Sequence, residues 1–508
     1  MALNDGKWVL IATILASSMA FLDTTALNVA LPTIQASLQA SGAQLLWILN
    51  AYLLMLAALI LVGGSLGDRL GRRKIFMLGI SLFMLASLAC GLAPSIQWMI
   101  ASRVVQGIGG ALMIPGSLAI IAAFFDDAQR GKAIGTWATA ASIVTVAGPL
   151  LGGVLADAGL WRVVFLINLP LGAVALSVLY FKVPESRDEA ASNQIDILGA
   201  ILTVLGLAGV TYGFITAPEL GYSNPQVYGT LATGAAALAV FGLVEARSQH
   251  PMLPLGLFRS RTFSGSNLLT LFLYGALSVG IFFLSLNMIQ AQGYSKSEAG
   301  SALVPFSLLL VALSRWAGGL ADRRGPRLLL VIGPALSGLG FLFMSFAGLT
   351  RGASDYWTAY FPGVMTFGVG MGLTIAPLST AVMGSVAIHY SGTASGINNA
   401  VSRMAGVLAI AIVGSIALFL FAGALRERTA SLNLTEKARS ALQAEAGRLG
   451  AATVPVEVGT ENAAAVATAI KLAFVDVFRW VMIICAGLAW ISACMAAILV
   501  EPRVSRSE

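Results

Sequence analysis

The sequence predicts an all-α polytopic membrane protein of about fourteen transmembrane helices, and three observations predict it. Only 10% of the 508 residues are charged, against roughly 25% in an ordinary soluble protein. The mean hydropathy is +0.86, carried by unbroken apolar runs of about 20 residues rather than alternating segments of about ten. A charged ten-residue segment recurs in the second half of the chain. In hydrocarbon only helices and closed barrels satisfy their own backbone, and continuous runs select helices.

Breaking the chain at charges, Pro and Gly centres the helices near Ala16, Leu56, Leu85, Leu112, Val144, Leu171, Leu207, Ala237, Phe282, Leu308, Leu339, Phe367, Ala409 and Gly487. The first run, Trp8 to Val29, is too long for a signal-peptide core and lacks a basic lead and cleavage site, so it reads as a retained helix. With the N-terminus inside, inner segments hold seventeen of the basic residues and the short outer loops hold Arg162, Lys296 and Arg351. Basic residues stay on the cytoplasmic side, so both termini are expected inside a cytoplasmic (inner) membrane.

The recurrence aligns Gly64-Ser-Leu-Gly-Asp68-Arg69-Leu-Gly71-Arg-Arg73 with Gly318-Gly-Leu-Ala-Asp322-Arg323-Arg-Gly325-Pro-Arg327, identical at six of ten positions. Two parallel six-helix bundles around a midplane site explain it. The expected division is 1–182 for the first bundle and 183–262 for two inserted helices with flanking loops. Residues 263–500 form the second bundle with a long outer loop at 423–470, and 501–508 a cytoplasmic tail. Thr435 to Leu449 reads as an amphipathic helix capped by Thr435. The loop is either a cover for the outer mouth or a docking site for a periplasmic adaptor.

Composition also excludes. The net charge of +7 is the topological excess of Lys and Arg, not a nucleic-acid footprint. Cys90, Cys485 and Cys494 sit in apolar runs without metal or disulfide spacing, and His250 and His389 fall in connections, so no metal site is expected. H-E-x-x-H, G-x-S-x-G and P-loop patterns are absent, which argues against an enzyme and against ATP as the driver.

Three constellations carry chemistry. In the loop after the second helix, glycine turns meet dense charge at Gly67-Asp68-Arg69-Leu70-Gly71-Arg72-Arg73-Lys74. Asp68 can accept from a helix N-terminus in the other half, where the dipole is positive, and so latch the inner side shut. Arg69, Arg72 and Arg73, with Asp322 and Arg323 of the second copy, belong to the same gate. The plainer reading is a topology signal; recurrence at Asp322 favours the latch. Second, Asp23 lies about 22 Å from the inner end of the first helix and shares a depth with Arg103 of the fourth. Burial favours the protonated carboxyl and a neighbouring arginine the ionised one, so a conformational change that alters their balance moves a proton. A static Asp–Arg clamp is the structural alternative. Third, Gly148-Pro149 with Gly152-Gly153 forms a hinge and seal in the fifth helix, against a reading as generic small-residue packing.

These motifs resemble those of the major facilitator superfamily, and more closely its fourteen-helix drug:proton antiporter branch, over nearly the whole chain. Leu22-Asp23-Thr-Thr25-Ala-Leu-Asn28-Val-Ala30-Leu31-Pro32 is similar to the branch's opening motif, and Arg103-Val-Val-Gln106-Gly107-Ile-Gly109-Gly110-Ala111 to its fourth-helix motif. Gly135 and Gly148-Pro149-Leu-Leu-Gly152-Gly153 resemble its fifth-helix antiporter motif, with Val144 where a glycine is expected. The resemblance implies export of amphipathic drugs against incoming protons by alternating access, with no cofactor, and with the bilayer and a small amphipathic substrate as partners. Asp23 and Arg103 are the expected coupling pair; Asn28, Gln106, Trp137, Asn398, Asn399 and Arg403 are expected on the cavity wall. A dedicated metabolite or lipid exporter of the same fold is the alternative, and a non-transporting sensor or scaffold the alternative of another class.

Overall fold

Polar caps mark where one apolar run ends and the next begins. Ser41 and Gln44 form a capping box, Ser295 and Glu298 another, and Ser95, Asp126, Asp196, Asn224 and Ser260 each accept from the first turn of the helix they precede. Between them the computed structural model, which describes residues 3–187, 196–248, 251–387 and 390–502, is helical throughout its regular elements.

Fourteen helices among the described residues are long and apolar enough to cross a membrane: α1 Gly6–Leu38, α2 Gly42–Leu70, α3 Arg72–Gly91, α4 Ile96–Phe124, α5 Lys132–Asp157, α6 Val163–Lys182, α7 Ile197–Leu220, α8 Pro225–Arg247, α9 Arg261–Ala291, α10 Lys296–Ala321, α11 Arg327–Ser345, α12 Phe361–Gly384, α13 Gly392–Thr429 and α14 Val456–Leu499. Every centre predicted from sequence falls inside one of them. His250 and His389 lie outside the described residues, as does the side chain of Asp322.

Helices α1 to α6 pack among themselves, with α4 between α2 and α3 and with α1 against α5 and α6. Helices α9 to α14 do the same, α9 against α13 and α14, α11 against α12 and α14, and α10 against α12. The inserted pair α7–α8 packs together, and α7 also lies on α2 and α13. That places the insertion on the line where the two sets of helices meet. Along this line glycines admit α2: Cβ atoms at Gly414, Gly406 and Gly396 would approach Leu46, Leu53 and Leu61.

The outer loop is shorter than the sequence suggested. Polar residues around Arg426 and Lys471 read as loop, yet α13 runs to Thr429 and α14's helix begins at Gly459. Between them Thr435 caps a helix over Glu436–Glu445, which ends one turn before the expected Leu449. Its Ala438 and Leu442 are buried, and the helix packs on residues 446–451 and 456–458 of the same segment. The Arg448 carbonyl accepts from Gln35 of α1 at 3.3 Å, and residues 446–451 also touch α2, α13 and α14, so the segment lies across the helix ends on that side.

Candidate functional site

Asp23 is 0% exposed and Arg103 1%, and their side chains meet at 2.6 Å. The first helix supplies the carboxylate; the fourth supplies Arg103 and, three residues on and therefore on nearly the same face, Gln106. Gln106 Nε2 donates to Asp23 Oδ1 at 2.8 Å and to Ser87 Oγ of α3 at 2.8 Å, and its Oε1 accepts from Arg103 at 2.7 Å. Arg103 Nε donates to the Ile48 carbonyl of α2 at 3.0 Å, and its guanidinium lies 4.4 Å from the centroid of the Tyr52 ring. Asn168 of α6 closes the network by donating to Ser87 at 3.1 Å. A charge in the bilayer interior needs partners, and here five helices provide them. Gln106, expected on the cavity wall, is instead sealed inside this network at 0% exposure. Ser87, Tyr52 and Asn168 escaped the sequence reading, because a lone polar residue in an apolar run carries no local signal.

The α5 motif makes a seam. Its helix continues unbroken through Pro149. A Cβ at Gly148 would lie 2.9 Å from Thr25 Cβ, and one at Gly152 2.7 Å from Ala26 Cα, both on α1. A Cβ at Gly153 would lie 2.8 Å from Ser297 Cα, and one at Gly300 2.8 Å from the Pro149 carbonyl carbon. The same glycines therefore seat α5 on α1 and on α10 of the other half. At the end of the seam Asp157 accepts from the Lys296 and Ser297 backbone N–H groups at 2.9 and 2.8 Å and from the Ser297 hydroxyl. Its carboxylate also lies 3.7 Å from Lys296 Nζ. A carboxylate on the first N–H groups of a helix is favourably placed against the dipole. Removing a cap costs about 0.5–2 kcal/mol, so Asp157→Ala is expected to loosen this face roughly tenfold. Gln290 of α9 donates to Gln35 of α1 at 3.0 Å beneath Gly450, and labelling of a cysteine introduced there by an impermeant maleimide measures it.

The inner loop differs from expectation. Asp68 binds Arg72 of its own loop at 2.8 Å rather than a helix end of the other half. The loop is tied down by Glu185, which accepts from the Arg73 and Lys74 backbone N–H groups at 2.9 and 3.2 Å. The Arg73 guanidinium donates to the Val183 carbonyl at 2.9 Å. Gly71 has φ +116, where its missing side chain leaves room for the Glu185 carboxylate. Arg69 is half-buried with its Nε unpartnered, and Arg323 is exposed. Among the described residues the latch drawn from Asp68 is thus unmade, while α5 and α10 are joined at Asp157 and Lys296.

Of the other cavity candidates, Trp137 is half-buried and donates to Ser17 Oγ of α1 at 3.0 Å, and Asn28 is half-buried and donates to the Thr24 carbonyl at 3.1 Å. Asn398 donates to Asn267 and Thr270 of α9 at 3.2 and 2.7 Å, so its amide is taken up between helices. Neighbouring residues of a helix diverge by about 100°, and Asn399 is the exposed one of the pair. Arg403 is half-buried, and its Nε has no hydrogen-bond partner.

The sequence model described as Major Facilitator Superfamily matches residues 13–410. The chain is 36% identical over 412 residues to Multidrug resistance protein Stp of Mycobacterium tuberculosis, covering 80% of this chain and 75% of that one. It is 32% identical to the Methylenomycin A resistance protein of Bacillus subtilis, covering 81% and 88%. It is 30% identical to the Tetracenomycin C resistance and export protein of Streptomyces glaucescens, covering 85% and 80%. Among solved structures, a bacterial homologue of the human lysosomal transporter Spinster, inward-facing and unoccupied, superposes with a TM-score of 0.68 at 18% identity over 100% of both chains. That likeness concerns the fold; the sequence matches carry the family. On their extent the chain belongs to the major facilitator superfamily, whose members are transporters and not enzymes.

Proposed function

We propose that the chain exports small amphipathic molecules in exchange for protons by alternating access, in the cytoplasmic membrane with both termini in the cytoplasm. The observation that carries this reading is the sealed pair at 2.6 Å between Asp23 and Arg103, with Gln106 and Ser87 bonded behind it. In this reading the proton moves when the Asp23–Arg103 pair separates, and α5, seated on α1 and on α10 of the other half, couples that step to motion of the halves. The α5–α10 contact and the Asp157 cap support an outer face that is closed here. The self-paired Asp68 supports an inner latch that forms when the outer one releases. Residues 1–182 and 263–500 serve as the two rocking halves, with 183–262 as the inserted pair. Relatives named for resistance to methylenomycin A, tetracenomycin C and puromycin support efflux of drug-like compounds.

One proton crossing about 100 mV supplies about 2.3 kcal/mol, enough for roughly fifty-fold accumulation. Purified protein in proteoliposomes is therefore expected to concentrate puromycin or methylenomycin A when a pH gradient is imposed, and to stop when a protonophore collapses it. Movement that ignores the gradient overturns the coupling; no movement of any compound in a drug panel overturns the transport reading.

A further inference from the structure

Arg403 stands about 11 residues into α13, about 17 Å from its inner end and near the middle of a core about 30 Å thick. An arginine at that depth is expected to meet a carboxylate, carbonyls or a hydrated cavity. Arg103 has such partners in Asp23, Gln106 and the Ile48 carbonyl. Arg403 has none among the described residues, and its Nε is buried and unpaired. The Asp23 carboxylate is engaged by Arg103 and Gln106 and makes no ion pair with Arg403 among the described residues.

The position faces the line between the halves. Gly396 and Gly406, seven residues before and three after Arg403 and so on its side of α13, lie against Leu61 and Leu53 of α2. Asn399, one turn nearer the inner side and on the same face, is exposed.

We propose that Arg403 anchors an acidic group of the substrate, so that this site takes amphipathic carboxylic acids bound as their anions. A guanidinium fork meets a carboxylate through two parallel hydrogen bonds. Asn399, exposed one turn away on the same face, adds a neutral donor and acceptor at the polar end. The inference rests on the transport reading and names the substrate class of its central site.

The test is calorimetric titration of the purified full chain in detergent at pH 7 with 1-naphthaleneacetic acid, its methyl ester and 2-(1-naphthyl)ethyltrimethylammonium. The acid is expected to bind at least tenfold tighter than the ester or the cation. Arg403→Gln is expected to lose roughly ten- to hundredfold in acid affinity, the worth of a hydrogen bond to a charged group, with ester affinity unchanged. Arg403→Lys keeps the charge without the fork and is expected to fall between. A wild type that binds ester and acid equally, or binds no acid, overturns the proposal, as does an Arg403→Gln variant with an unchanged acid-to-ester ratio. Should Arg403→Gln lose the ester too, Arg403→Lys decides: ester binding retained with a reduced acid preference supports the anchor, and an unaltered preference sinks it. Binding is read without a gradient. Lost acid preference therefore refutes this inference alone, and absent pH-driven transport with the preference intact refutes the coupled-transport reading alone.

Discussion

Gly153→Val is expected to hold the outer face open and to slow transport roughly ten- to hundredfold while the protein still folds and reaches the membrane. The added Cβ would press on the Lys296 carbonyl oxygen and lie 2.8 Å from Ser297 Cα. Both obstacles are backbone, which cannot swing aside as a long side chain can. Overpacking of this kind costs about 1–3 kcal/mol. Because the clash exists only when α5 and α10 are together, it falls on one of two states and shifts their ratio by the corresponding factor. The neighbouring Gly152 supplies the contrast: its Cβ would lie 2.7 Å from Ala26 Cα on α1, within the same half, so Gly152→Val is expected to lower the yield of folded protein first. Gly300→Val, which meets the Pro149 carbonyl from the other side, is expected to copy Gly153→Val. The measurement is the rate at which an impermeant maleimide labels a single cysteine at Gln290 in a background lacking Cys90, Cys485 and Cys494. A rate equal to that of the parent would show that the seam is packing and not a gate.

The fourteen helices were legible because lipid leaves little choice. A run of about 20 apolar residues must bond its own backbone, so length and hydropathy suffice. The ends of α13 and α14 were not legible, since turns such as Arg426–Thr429 continue a helix into water, where polar residues look the same in helix and loop. Asp23 and Arg103 announced themselves as two costly charges at one depth. Which way the amides pointed was a question of angle: Gln106 shares a face with Arg103, and Asn398 with Asn399 cannot share one. The two carboxylates that tie distant elements were invisible as partners. Asp157 bonds Lys296 across 139 residues, and Glu185 bonds Arg73 across 112, separations over which no periodicity reaches.

Asp23→Asn is expected to abolish pH-driven transport and to lower stability together, and separating the two effects tests the mechanism. The asparagine keeps the shape of the side chain and one acceptor oxygen, but it leaves the Arg103 charge uncompensated in a site 1% exposed. Breaking a buried ion pair from one side costs about 3–5 kcal/mol, so a lower melting temperature by fluorescence-detected size exclusion is expected. The double variant Asp23→Asn with Arg103→Gln removes both charges while leaving amides that bond one another and Gln106. It is expected to regain much of the lost stability, because exchanging a buried pair for neutral partners is often near neutral. It should still move no substrate in response to a pH gradient, since the carboxyl that carries the proton in this reading is gone. Recovery of stability without recovery of coupling places the proton on this carboxyl. Recovery of both would mean that Asp23 and Arg103 clamp α1 to α4 and that the proton travels elsewhere.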